Sequence, residues 1–141
     1  MHYLARLEPD DDSWLVTFAA IPEAITGGID EAEALTNAVD ALEVALLTYA
    51  RDGRPLPQPT AASPAHNERR IYLSAATAAK LAFIAAFAQA GISRTALAER
   101  LGKAEGEVRR MLDPYHATKL PALEAGLQAL GKRLVVSVEA A

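Results

Sequence analysis

Apolar side chains recur along this chain with two different periods, and the change from one to the other outlines its elements. In His2 to Glu8 (HYLARLE) apolar and polar positions roughly alternate, the repeat of a half-buried strand. Pro9 to Ser13 (PDDDS) predicts a turn, because proline presets its own backbone and aspartates hydrogen-bond locally. Trp14 to Ala19 (WLVTFA) is β-branched and aromatic and predicts the best strand of the chain. Ile21-Pro22 ends it, and a short third strand is expected near Ala24 to Thr26, closed by Gly27-Gly28. Then the period lengthens. Asp30 and Glu33 make a D-x-x-E pattern close to a capping box, and Leu35, Val39, Leu42, Leu46 and Tyr49 form one helical stripe that stops at Asp52-Gly53. Three strands followed by one helix predict a small sheet covered on one face.

Arg54 to Asn67 (RPLPQPTAASPAHN) has four prolines and little that is apolar, so it reads as a linker. Arg69 to Leu73 (RRIYL) is a candidate fourth strand that returns to the first sheet. Ser74 can cap a helix running to Gln89, with Leu81, Ile84 and Phe87 buried and Gly91 closing it. Arg94 to Leu112 predicts two short helices around a tight turn. Leu97 and Leu101 make an apolar stripe, Ala98 is small enough for close helix approach, and Gly102 can take a left-handed conformation. Val108 and Leu112 restart the stripe, and Asp113-Pro114 ends it. Leu120 to Leu130 is a last helix, with Leu120, Leu123, Leu127 and Leu130 as its core stripe. Arg133 to Glu139 (RLVVSVE) then reads as a strand with no obvious partner. An unpaired edge is a template for a second copy, so Leu134 to Val138 is expected to help build a homodimer.

The expected class is α+β: a small N-terminal β-sheet with one covering helix, then an all-α helix-turn-helix domain ending in a β-strand. The expected domains are 1–62 and 74–141, joined by a linker or strand at 63–73.

Charge adds a functional direction. The net charge is −4, yet residues 1–62 hold three arginines against eleven acids, a net of −8, while residues 63–141 hold eleven Lys and Arg against seven acids, a net of +4. Such a split suggests an acidic half for a basic partner and a basic half for nucleic acid. Two solvated surfaces that merely differ are the plainer alternative.

Catalytic chemistry is hard to assemble. His2, His66 and His116 lie in different segments without ligand spacing, so no metal is expected. Gly27-Gly28 lacks the Lys and Ser/Thr of a phosphate loop, and no serine sits in a nucleophile elbow. Asp10, Asp11 and Asp12 have the charge to hold a divalent ion, but adjacent acids in a turn are more often solvated. Neither enzyme activity nor a cofactor is expected. The absence of cysteine removes disulfides and thiolate metal sites and fits a reducing cytoplasm. MHYLARLEPDDD lacks the pattern of a secretory signal, and Ala75 to Ala90 is too short to span a bilayer, so a soluble protein without a membrane partner is expected.

The two-helix stretch is the one motif with a specific chemistry, since a helix-turn-helix lays its second helix in the DNA major groove. Arg94 and Thr95 at the start of the first helix are phosphate candidates. Glu105, Gly106, Glu107, Arg109 and Arg110 lie on the recognition helix, and Lys103, His116 and Lys119 lie on flanking turns. Ala104 is a poor cap, and Glu105 and Glu107 bring acids near phosphate. An ordinary helical hairpin with solvated arginines is the alternative.

Taken together, these residues resemble the HicB family of antitoxins from bacterial type II toxin–antitoxin systems, over nearly the whole chain. The aromatic first strand (Tyr3), the acidic turn, the second strand ending before Ile21-Pro22, Thr26-Gly27-Gly28, the acid-capped helix to Arg51 and the Gly53, Pro55, Pro57 tail are similar to the family pattern. The family commonly has Pro-Gly-Cys after the isoleucine, where this chain has Pro22-Glu23-Ala24. DPYHATKLPALEAGLQALGKRLVVSVE is similar to the ending of the family's helix-turn-helix branch. The resemblance implies a partner, HicA, a small basic ribonuclease of double-stranded-RNA-binding-like fold that cleaves messenger RNA. It also implies an N-terminal domain of partial ribonuclease H fold, without activity, that covers the toxin. Asp10, Asp11, Asp12 and Trp14 are candidate toxin contacts, with a core role as the plainer reading of Trp14. A dimer implies a palindromic double-stranded operator. A stand-alone transcriptional regulator with a sensing N-terminal domain is the alternative function.

Overall fold

The computed structural model describes residues 1–59 and 61–141; Thr60, within the proline-rich stretch read as a linker, lies outside the described residues. The elements run β1 (His2–Asp10), β2 (Ser13–Thr17), β3 (Ile25–Gly28), α1 (Glu31–Arg51), β4 (Glu68–Tyr72), α2 (Ala75–Ala90), α3 (Arg94–Leu101), α4 (Glu105–Leu112) and α5 (Leu120–Ala129). The class is α+β. Two compact units divide inside α2, at Met1–Ala78 and Ala79–Ala141.

The first unit is a four-stranded sheet in the order β3-β2-β1-β4, with every neighbouring pair antiparallel. Asp10 pairs with Ser13, so Asp11 and Asp12 alone make the β1–β2 turn, and Asp11 takes the left-handed conformation at φ 52°. Aspartate is one of the few side chains that enter this region at modest cost. Strand alternation sends Tyr3, Ala5, Leu7, Val16 and Ile71 to one face, where they are buried. The buried stripe Ala34, Ala38, Leu42, Ala45, Leu46 and Tyr49 of α1 supplies the covering layer. Asp30 caps that helix, accepting from the Glu33 amide at 2.8 Å. Gly28 marks how closely the layers meet: a Cβ there would lie 2.5 Å from the Ala34 nitrogen and 2.9 Å from the Glu33 carbonyl carbon.

The proline-rich stretch belongs to this first unit. Tyr3 donates its hydroxyl to the Pro57 carbonyl at 2.7 Å, the Leu7 amide donates to Asn67, and β4 then pairs with β1 from His2–Tyr72 to Arg6–Glu68. The third strand begins one residue later than the expected Ala24 and extends through both glycines.

The second unit packs α2 to α5 around Phe83, Leu97, Val108, Met111, Leu123 and Leu127. Gly126 lets α5 approach α2, since a Cβ there would meet the Phe83 ring at 2.5 Å. Ser93 caps α3, accepting from the Ala96 amide at 3.0 Å, and Gly102 ends it at φ 64° with its amide bonded to Ala98 and Glu99. Three expectations need correction here. Ile84 and Phe87 are only half-buried, and Leu120 is 47% exposed because α5 begins there, ahead of the turns that face the core. Residues 133–139 do not form the expected terminal strand. A helix closes its own hydrogen bonds, but a strand needs a neighbouring strand, and among the described residues the sheet of the first unit ends at β3 and β4 without this segment.

Candidate functional site

The basic unit brings most of the sequence-predicted DNA residues onto one two-helix feature. Arg94 and Thr95 are exposed in the first turn of α3, Lys103 is exposed in the three-residue turn, and α4 carries Glu105, Gly106, Glu107, Arg109 and Arg110. Val108 and Met111 hold α4 to the core, which leaves Arg109 and Arg110 in solvent. Ala104 makes no side-chain cap, and Glu105 and Glu107 stand in the first turn, where the helix dipole favours acids.

Those acids are ion-paired with three of the candidate cationic residues. Glu105 lies between two arginines, 3.6 Å from Arg94 Nε and 3.1 Å from Arg109 Nη2, and Glu107 lies 3.6 Å from Lys103 Nζ. Arg110 and Lys119 make no ion pair among the described residues. The i, i+4 spacing of Glu105–Arg109 and Lys103–Glu107 was legible in the sequence, whereas the Arg94–Glu105 pair depends on how the turn folds. Pairs this exposed contribute little to stability; their effect is to hold cationic side chains in place.

His116 and Lys119 sit in the loop between α4 and α5, and the structure shows what positions it. Lys80, from α2, is 5% exposed and donates to the Met111 carbonyl at 2.7 Å and to Thr118 Oγ1 at 2.6 Å. Thr118 Oγ1 in turn lies 3.0 Å from His116 Nδ1. A lysine at the last carbonyls of α4 complements the negative helix end. Burial lowers its pKa, and the nearby Asp113 carboxylate partly offsets that. Nothing in the apolar periodicity of Ala75 to Ala90 assigns Lys80 a role. Its lone charge in that tract was the available signal.

The first unit holds five arginines against twelve acids, a net of −7. Asp10, Asp11 and Asp12 are exposed at the tip of the β1–β2 hairpin. Trp14 is half-buried and, by alternation, shares the helix-covered face with Val16. The hairpin thus joins the acids to an aromatic side chain that is part core and part surface. Among the described residues no three His, Asp or Glu side chains converge as a metal site.

Two features of this unit were not read from the sequence. Glu23 accepts from the Tyr49 hydroxyl at 2.6 Å and from Arg54 at 3.2 Å, while the Arg54 guanidinium stacks 3.8 Å over the Tyr49 ring. The Tyr49 hydrogen bond, followed by backbone and Arg54 contributions, lowers the Glu23 pKa. The second is a shallow groove of about 390 Å³ on the uncovered sheet face, lined by Leu4, Arg6, Thr17, Phe18, Ala19, Pro22, Ile25 and Glu68. Among the described residues no single helix is long and apolar enough to cross a membrane.

Comparison with known proteins adds the family. A family model described as the HicB-like antitoxin of bacterial toxin–antitoxin systems matches residues 2–82. The chain is 37% identical to Antitoxin HicB 2 of Photorhabdus laumondii over 134 residues, covering 95% of this chain and 94% of that one. It is 36% identical to Antitoxin HicB of Pseudomonas fluorescens over 139 residues, with 99% and 94% covered. It is 37% identical to Antitoxin HicB of Escherichia coli K12 over 136 residues, with 95% and 96% covered.

Proposed function

The chain belongs to the HicB-like antitoxins of bacterial toxin–antitoxin systems, and from that premise we propose that it neutralises a HicA-type mRNA-cleaving toxin and represses its own operon. The acidic first unit covers the toxin, with Asp10, Asp11, Asp12 and Trp14 as contacts. The carrying observation is the division of charge between two compact units, −7 on the first and, from nine Lys and Arg against six acids, +3 on the second. A protein built to hold RNA is basic, and an acidic surface both attracts it and competes with its substrate. The chain acts by binding and not by catalysis.

The second unit reads the operator through a helix-turn-helix formed by α3 and α4. Arg94, Thr95, Lys103, His116 and Lys119 contact phosphate, and Glu105, Gly106, Glu107, Arg109 and Arg110 face the groove. Two copies joined through this unit read a palindrome. The supporting geometry is the glycine-closed turn and the buried anchors Leu97, Ala98 and Val108, which leave α4's arginines exposed.

Co-expression with the neighbouring genes, with only this chain tagged, tests the reading. A small basic protein should co-purify in stoichiometric yield and be toxic when expressed alone, and the antitoxin should shift its own promoter DNA. Purification alone beside harmless neighbours would overturn neutralisation. Failure to retard the promoter fragment at low salt would overturn repression.

A further inference from the structure

The loop between α4 and α5 is tied more firmly than an ordinary surface loop. Asp113 accepts the Tyr115 amide on its carboxylate at 2.9 Å and the His116 amide on its carbonyl at 3.2 Å, and the His116 carbonyl accepts the Thr118 amide at 2.9 Å. From α2, the buried Lys80 ammonium spans the Met111 carbonyl, at the end of α4, and Thr118 Oγ1. Burying a charge is costly, and apolar packing would close a merely structural loop at lower cost. What the lysine adds is direction.

That direction follows atom by atom. An ammonium only donates, so Thr118 Oγ1 accepts from Lys80 at 2.6 Å. The hydroxyl keeps its own hydrogen to donate, and His116 Nδ1 lies 3.0 Å away. A ring nitrogen that accepts carries no proton, so a neutral His116 holds its hydrogen on Nε2. The relay runs from Lys80 Nζ–H through Thr118 Oγ1–H to His116 Nδ1, and leaves Nε2–H as the donor that this exposed ring presents. Lys119, next to Thr118 in the chain, is also exposed, and neither it nor His116 is ion-paired among the described residues. A fixed donor near a free cation suits an anionic oxygen.

We propose that Lys80 and Thr118 are positioning residues for DNA binding, which hold His116 as an uncharged Nε2–H donor to a phosphate of the operator. This rests on the operator-binding reading given above and specifies how one of its contacts is made. It also sets His116 apart from Arg94, Lys103 and Lys119, which act as charges. A cation at phosphate releases condensed counterions, whereas an uncharged donor releases none.

Fluorescence anisotropy with the full chain and its own promoter fragment, at about pH 8 where imidazole is ordinarily uncharged, separates the two roles. His116→Ala should weaken binding roughly ten- to hundredfold, the range of a hydrogen bond to a charged group, with the slope of log affinity against log salt unchanged. Lys119→Ala should flatten that slope by about 0.9. Thr118→Val removes the hydroxyl, keeps the shape and leaves the Lys80–Met111 bond in place, and it should weaken binding roughly two- to tenfold. Thr118→Ser keeps the hydroxyl and should bind as wild type. In a His116→Ala background Thr118→Val should have no further effect, a result that general loosening of the loop would not produce. A promoter fragment left unbound by the wild-type chain would overturn the operator reading and this inference with it. Wild-type binding that His116→Ala or Thr118→Val leaves unchanged would overturn this inference alone. A flattened slope for His116→Ala would overturn the uncharged donor, and a Thr118→Val loss that persists without His116 would overturn the relay.

Discussion

If α4 reads DNA as proposed, replacing Glu105 by glutamine should strengthen DNA binding, which is an unusual direction for a change on such a helix. Glu105 holds Arg94 Nε at 3.6 Å and Arg109 Nη2 at 3.1 Å, and its side chain is 40% exposed. Each exposed pair is worth about 0.2–1 kcal/mol, so releasing both arginines for DNA is worth about 0.4–2 kcal/mol, or roughly two- to thirtyfold in affinity. The three groups together carry a net +1; without the acid they carry +2. The plot of log affinity against log salt should therefore steepen by about 0.9. The helix loses an acid from its first turn and an i, i+4 pair, so the fold should lose only about 0.5–1.5 kcal/mol. Fluorescence anisotropy with the chain's own promoter fragment, from about 50 to 200 mM salt, measures both quantities. Glu124→Gln, on exposed α5 surface, is the control and should change neither. An unchanged affinity and slope for Glu105→Gln would remove Arg94 from the phosphate contacts and Arg109 from the groove face. Weaker binding with relaxed sequence preference would mean that the carboxylate itself reads a base edge.

Three further perturbations test the scaffold. Gly28→Ala should destabilise the first unit by about 1–3 kcal/mol in urea titration, because its Cβ would meet backbone of Ala34 and Glu33 that cannot rotate away; Gly53→Ala, in open space at φ +69°, should cost only about 1–2 kcal/mol. Lys80→Met should cost about 1.5–3 kcal/mol by leaving the Met111 carbonyl without its charged donor. Because burial lowers the Lys80 pKa, the unfolded chain binds more protons just below pH 10.5, so the wild-type advantage over Lys80→Met should widen as pH rises through that window. Glu23 has a lowered pKa, so its stabilisation is complete above pH 4.5 and is lost as pH falls through its folded value. Glu23→Gln should flatten the acid limb of a stability–pH profile measured by chemical denaturation, and an unchanged limb would refute the assignment.

What could be read in advance follows from how each feature satisfies its backbone and its charges. Local features were legible: the Asp30 cap, a turn within Pro9 to Ser13 (which cross-strand pairing of Pro9 and Asp10 narrows to Asp11-Asp12), and the Gly102 turn with Leu97, Ala98 and Val108 around it are all set by residues within a few positions. Features that join distant segments were not. Lys80 meets Met111 and Thr118 thirty-one and thirty-eight residues away, and Glu23 meets Tyr49 twenty-six away, and no periodicity encodes such partners. The candidate DNA surface shows both cases on one side chain, since Glu105 meets Arg109 by helical spacing and Arg94 only through the folded turn.

The C-terminal segment is the informative failure. Its composition predicts a strand that the structure does not form, because a strand is a relation between two segments and among the described residues no strand pairs with this one. Helices α3 and α4 differ because each closes its ladder within eight residues. At the C-terminus only Leu134 finds the core of the second unit, while Val135, Val136 and Val138 stand exposed beyond it, so a preference for extended backbone is not by itself enough to make a strand.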